Sequence, residues 1–386
     1  MLNSDIAGFS SKLPDTGTTI FSVMSKMASD YDAINLSQGF PDFSVPSRLL
    51  ALVNEHMQSG NNQYAPMAGM LMLRQQIAEK IYRLYSKYVE PETEVTVTAG
   101  ATEALHASIS AFVQKGDEVI LFEPAYDSYI PSVKLNGGIA IPIALSAKDF
   151  SIDWNKVEDK ISSKTRMIII NTPHNPSGNI LTEEDIQILA NLTRNTNIIV
   201  LSDEVYEHII FDGALHQSVL RHQELAQRSI AVFSFGKTFH ATGWKVGYFV
   251  APAYLSTEVR KVHQYIQFSV HTPTQLALAD YMRSLNSYQP LADFYQNKRD
   301  LFLRLTQSTP FTPLPSKGTY FQLFSYQPYS DMPDRKLAEY LTQKKKLASI
   351  PISVFYQNQT DHHYLRFCFA KDDETLTQAA EILCNL

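Results

Sequence analysis

The chain has 386 residues, with 33 Lys and Arg against 39 Asp and Glu, for a formal net charge of −6. An acidic balance with no basic tail or stripe argues against a nucleic-acid partner, and 44% hydrophobic against 19% charged residues argues against global disorder. At roughly 150 residues per domain the length suggests about two or three domains, or one large and one smaller.

The opening stretch "MLNSDIAGFSSKLPDTGTT" lacks a basic start followed by an apolar core, so it does not read as a secretion leader. No apolar run approaches the roughly 20 residues needed to span a bilayer. The expectation is a soluble, cytoplasmic protein with no membrane partner. From about residue 95, short β-branched runs alternate with longer amphipathic ones. "EVTVTAG" reads as a strand, and "TEALHASISAFVQKG" as a helix closed by Gly116. "EVILF" is the next strand, with a helix-like segment after Tyr126. "GIAIPIAL" is another strand, followed by a helix from Asp153 to Ile161. "RMIIIN" is a strand, and "TEEDIQILANLTRN" a helix whose Thr182 and Asp185 have capping-box spacing. "NIIVLSD", "SIAVFSF" and "VGYFVAP" complete the strand candidates.

Runs such as "MIII" and "IIVL" lack polar alternation, as strands buried on both faces do. The reading is an α/β domain over residues 48–285, with a mostly parallel central sheet flanked by helices. Beyond it come helices around "LADFYQNKRDLFLRL" and "DRKLAEYLTQKKK", strand-like "TYFQLF", "ISVF" and "YLRFCFA", and a last helix. These read as a smaller α+β domain of residues 286–386, joined by residues 1–47. Cys368 and Cys384 belong to no Cys/His cluster, so no metal site is expected. Cys368 reads as a buried small hydrophobe.

In such sheets ligands gather at the carboxyl ends of the strands. "AGATEAL" puts small residues and Thr102 at a helix start, where free N–H groups favour an anion. An ordinary Thr N-cap explains the same residues. "NTPHNPSG" presents Asn171 and Asn175 on a proline-constrained loop, which also reads as a rigid surface turn. Asp203 ends a buried-type strand, where a carboxylate is costly unless paired. Lys237 ends another among Phe233, Phe235 and Phe239, where desolvation would favour the neutral, nucleophilic amine. A lysine that reaches water with its head is the bland alternative. Taken together, an anion-binding helix start, an Asn loop, a strand-end Asp and a strand-end Lys form the equipment to hold pyridoxal 5'-phosphate as a lysine Schiff base.

The motifs "SQGFPDF", "NQYAPMAG", "VTAGATEAL", "FEPAYDSY", "NTPHNPSGN", "SDEVYEHIIFDG", "SFGKTFHATGWKVGY", "HTPTQ" and "YLRFCFA" occur in order along the chain. In them the chain resembles the class I/II aminotransferases of the aspartate-aminotransferase fold, most closely the branch of kynurenine–oxoglutarate, glutamine–phenylpyruvate and methionine aminotransferases. The resemblance implies that Lys237 carries the cofactor and moves the substrate Cα proton. It implies that Asp203 pairs with the pyridine nitrogen, that Tyr206 and Asn175 meet the phenolic oxygen, and that Tyr126 stacks on the ring. Ala101, Thr102, Ser234 and Lys245 would hold the phosphate, with Tyr64 reaching it from the partner of a homodimer. Arg366 would grip the substrate carboxylate beside Asn175 and Gly39, and His271 would approach from the partner. Lys245 stands where many aspartate-type members carry arginine, and lysine there fits the branch named above. The implied reaction is ping-pong transfer between a neutral amino acid, methionine or aromatic favoured, and a 2-oxo acid. A cysteine-conjugate carbon–sulfur β-lyase would share these residues. A cofactor-sensing transcription regulator would need an appended DNA-binding segment, and the acidic balance speaks against it.

Overall fold

The computed structural model describes residues 10–386. Residues 1–9, which begin both the stretch read as lacking a leader and the segment assigned to the smaller domain, lie outside the described residues. The central sheet has seven strands in the spatial order Val95–Thr98, Gly247–Val250, Ser229–Ser234, Ile199–Asp203, Thr165–Asn171, Glu118–Glu123 and Ile139–Ala144. All neighbours run parallel except Gly247–Val250, which is antiparallel to both of its partners. The reversal brings the start of that strand to the edge where its neighbours end.

Side chains alternate across each strand, and here both faces are apolar. Ile168, Ile170 and Val200 pack into one core, whereas Met167, Ile169 and Leu201 pack into another on the opposite side. Two buried faces explain why the "MIII" and "IIVL" runs carry no polar alternation. The capping box forms as its spacing predicts. The Thr182 hydroxyl accepts from the Asp185 N–H at 3.1 Å, and the Asp185 carboxylate accepts from the Thr182 N–H at 2.8 Å.

Two expectations are corrected. The helix after "AGAT" is Ala101–Phe112 and stops short of Gly116. Val113 turns extended and its side chain is drawn into the core, so the chain leaves the helix there. "ISVF" is no strand. Ser353–Phe355 form a 3₁₀ turn, because Asp334 takes both the N–H and the hydroxyl of Ser353 at 2.7 Å and draws that backbone out of a ladder.

A second, antiparallel sheet has the order Ile350–Pro351, Tyr364–Cys368, Phe321–Ser325, Thr312–Pro313. Ile34–Asn35 pairs in parallel with Leu347–Ala348, which ties the N-terminal segment to this C-terminal part. Cys368 is fully buried, and both cysteines are free thiols. No helix among the described residues is long and apolar enough to cross a membrane.

Candidate active site

Asn171, Asp203 and Ser234 at their strand ends, with Gly100 just beyond Val95–Thr98 and Val246 just before Gly247–Val250, border one cavity of about 290 Å³. Gly39, Ala101, Thr102, Tyr126, Asn175, Asp203, Tyr206, Ser234, Lys237, Lys245 and Arg366 all line it. Phe21 and Phe321 join them from outside the large sheet.

One end is built for an anion. Gly100 caps the helix Ala101–Phe112 at φ 80°, ψ 170°, a region that side chains rarely adopt. Thr102 is therefore the second helical residue, and not the N-cap that the ordinary reading made it. The first N–H groups of a helix have no partner within it, and they carry the positive end of its dipole. Glu103 fixes this turn by accepting from the Ala99 N–H at 3.0 Å. Gly247 passes so close behind that a Cβ there would lie 2.8 Å from the Ala101 nitrogen. Lys245, at φ 52°, brings its amine to 3.3 Å from where a Cβ on Gly100 would stand. Ser234 completes this end at the last position of its strand.

Asp203 and Lys237 occupy the middle: Asp203 ends its strand as expected, whereas Lys237 lies beyond the strand end at Ser234, in the short helix Phe235–Thr238. The Asp203 carboxylate accepts from the Tyr129 hydroxyl at 2.6 Å and from the Val205 N–H at 3.4 Å. Burial dominates its titration and lifts its pKa to about 6 against the pull of those donors. Burial lowers Lys237 to about 8, and the positive charges of Arg366 and Lys245 add to the effect. The walls around its amine are not the phenylalanines that the sequence suggested. The amine lies 5.6 Å from the Tyr206 ring centre and 5.5 Å from that of Tyr320. Tyr206 is itself buried, which raises its hydroxyl well above the ordinary tyrosine range.

Arg366 closes the far end from the middle of its strand. It is fully buried, and burial lowers its pKa to about 10. Its guanidinium lies 3.9 Å over the Phe321 ring. One terminal nitrogen donates to Asn175 Oδ1 at 2.8 Å and the other to the Ser37 carbonyl at 3.1 Å. Its Nε is buried without a partner, which leaves donor capacity for a planar anion. Asn175 is held in turn, since its N–H donates to Asn171 Oδ1 at 2.8 Å.

Tyr64 and His271 do not join the cavity. Tyr64 is 82% exposed and meets Phe268 edge to face. His271 is exposed at the head of the helix Thr272–Met282, with its Nδ1 2.7 Å from the Thr274 hydroxyl. Sequence reasoning missed Tyr129 and Tyr320, whose hydroxyls contact Asp203 and Lys237. "FEPAYDSY" contains Tyr129, and only the helix starting there shows that it turns back under Asp203.

The family model for "Aminotransferase class I and II" matches residues 31–383. The chain is 50% identical over 377 residues to a methionine aminotransferase of Escherichia coli K12, covering 97% of this chain and 98% of that one. It is 33% identical to human kynurenine–oxoglutarate transaminase 1, covering 93% of each chain. Among solved structures, the methionine aminotransferase YbdL of E. coli superposes with a TM-score of 0.95 at 49% identity, covering 98% of this chain and 99% of that one. An aspartate aminotransferase of Thermus thermophilus with maleate superposes with a TM-score of 0.89 at 25% identity, again covering 98% and 99%. The chain therefore belongs to the class I and II aminotransferases, enzymes that depend on pyridoxal phosphate.

Proposed function

We propose that this aminotransferase takes the amino group of a neutral amino acid, methionine or an aromatic one favoured, and delivers it to a 2-oxo acid by a ping-pong mechanism. One observation carries the substrate reading: Arg366 is the only arginine lining the cavity among the described residues, and Phe21, Leu105 and Phe321 supply apolar wall. A single guanidinium serves the carboxylate that every amino acid carries and leaves none for a second one. The similarity to a methionine aminotransferase supports the same reading.

The donor set fits pyridoxal phosphate. The helix start, Ser234 and Lys245 suit a phosphate dianion, Lys237 suits an aldehyde, and Asp203 suits a protonated ring nitrogen. When bound, the cofactor supplies an electron-accepting ring that carries the amino group between two carbon skeletons. In this reading Ala101 and Thr102 offer backbone N–H groups to the phosphate, and Lys245 adds a fixed charge. Asp203 faces the ring nitrogen and holds its proton there. Tyr206 and Asn175 donate toward the phenolic oxygen, and Tyr126 covers the ring. Arg366 orients the substrate carboxylate as a fork, beside Gly39. The Lys237 amine removes the substrate Cα proton, a task for its neutral form, and a pKa near 8 enlarges that neutral fraction at neutral pH.

We also infer a homodimer in which Tyr64 and His271 serve the partner's site. Exposed Leu50, Met57, Tyr64, Leu71, Met72 and Tyr265 support an apolar docking face. The division into residues 48–285 and the two flanking segments belongs to the same reading, as does a cytoplasmic setting in which both free thiols stay reduced.

The test is a donor competition with purified holoenzyme. Methionine should exceed aspartate in kcat/KM by roughly a hundredfold or more, since an unpaired carboxylate in an apolar pocket costs several kcal/mol. Lys237→Ala should abolish the native cofactor absorption and its shift on adding methionine. A preference for aspartate, or a native spectrum in Lys237→Ala, overturns the reading.

A further inference from the structure

Tyr320 lines no part of the cavity, yet its hydroxyl meets the amine that borders it. The hydroxyl lies 2.6 Å from the Gly39 carbonyl and 2.8 Å from Lys237 Nζ. A phenol has one proton, and the carbonyl can only accept, so the phenol donates to Gly39 and accepts from the lysine. Lys237 also donates to the Gly39 carbonyl, at 3.0 Å. The triangle joins a lysine of the short helix Phe235–Thr238, a tyrosine before Phe321–Ser325 and a loop near the N-terminus.

That loop has a second anchor. Arg366 donates to the carbonyl of Ser37, two residues before Gly39. Between them, the Gln38 side chain donates to the Phe21 carbonyl and the Ser25 hydroxyl, which ties the loop to the helix Ile20–Asp30. A Cβ on Gly39 would lie 3.0 Å from the Phe321 ring, so the loop is also seated by close approach. Tyr320 has little freedom itself. It is fully buried and packs edge to face on Tyr206 at 5.1 Å and against Tyr295 at 5.7 Å. The residue before it, Thr319, is held at φ 65°, an unfavourable conformation for a β-branched residue and one that gathers at functional sites.

We infer that Tyr320 is a positioning residue for the free Lys237 amine: with the Ser37–Gly39 loop, it sets the base at a fixed distance from the Arg366 guanidinium. A substrate gripped by its carboxylate would then present the neighbouring Cα to that amine. The inference rests on the roles proposed above for Lys237 and Arg366.

The test is Tyr320→Phe in the holoenzyme. The variant should keep its cofactor colour and a KM for the amino donor within about twofold, while kcat falls by about tenfold as the base loses alignment. The kinetic isotope effect with α-deuterated donor should rise above wild type, because proton transfer becomes more rate-limiting. Apoenzyme carrying Tyr320→Phe should also attach added pyridoxal phosphate several-fold more slowly, as the amine is less ordered. If the variant folds poorly, 4-aminophenylalanine at 320 keeps the ring and a donor to Gly39 while weakening the acceptor toward Lys237, and a smaller loss of the same kind is expected. Wild-type kcat and isotope effect overturn the inference. So does lost cofactor and a lowered melting temperature with an unchanged isotope effect, which marks packing alone. A native spectrum in Lys237→Ala instead overturns the reading beneath it.

Discussion

Gly100→Ala isolates what the anion end requires of the backbone. At φ 80° and ψ 170° an alanine is strained by about 1–3 kcal/mol. Its Cβ would stand 3.3 Å from Lys245 Nζ, a contact that the flexible lysine relieves by moving. The strain has two outlets. If the turn keeps its shape in the apoenzyme, stability falls by that amount. If the turn relaxes until the cofactor arrives, the cofactor dissociation constant rises by roughly 5- to 150-fold, the same free energy in another form. The assays are thermal unfolding of apoenzyme and cofactor binding by fluorescence, and the two losses together should reach about 1–3 kcal/mol. Combining the change with Lys245→Ala separates the terms, because the double variant loses the steric contact and keeps the backbone strain. A melting temperature within about 1 °C and a dissociation constant within about twofold of wild type would refute the reasoning, since neither outlet would carry a penalty of that size.

Asp203→Asn should stabilise the apoenzyme at pH 7.5. The folded pKa near 6 lies above the unfolded value near 3.8, so the folded state holds a proton that the unfolded state has released between those values. Stability therefore drops as pH climbs through that window, and the penalty is complete above it, at roughly 3 kcal/mol. Thermal melts should show the variant ahead of wild type at pH 7.5 and level with it near pH 4. Arg366→Lys should retain the cofactor spectrum and lose about a hundredfold in kcat/KM for the amino donor. A point charge replaces a fork, and Asn175 Oδ1 and the Ser37 carbonyl lose their donors.

Legibility followed locality. Asp203 stood out because it ends an apolar run and Lys237 because it closely follows one, and a parallel sheet turns a run's end into a cavity edge. Lys245 carried no such signal. It reaches the same edge only because its strand reverses, which is a pairing choice that the local pattern does not encode. Arg366 sits mid-strand in "YLRFC" with apolar neighbours on both sides, so spacing alone gives no reason for a charge there. Tyr129 and Tyr320 look like ordinary core aromatics, and which buried hydroxyl meets which group depends on contacts across 74 and 83 residues of chain. Tyr64 and His271 entered through resemblance alone, and neither lines the cavity of its own chain.

The register that pairs Ser234 with Gly247 turns Phe235–Val246 into a loop closed at its neck. Lys237 and Lys245 both ride on it, so the span between their backbone positions is a property of one ring of backbone. Shifts of the C-terminal sheet toward or away from the cavity leave that span unchanged. The backbone positions of the two lysines are thus set relative to each other once, as the chain folds.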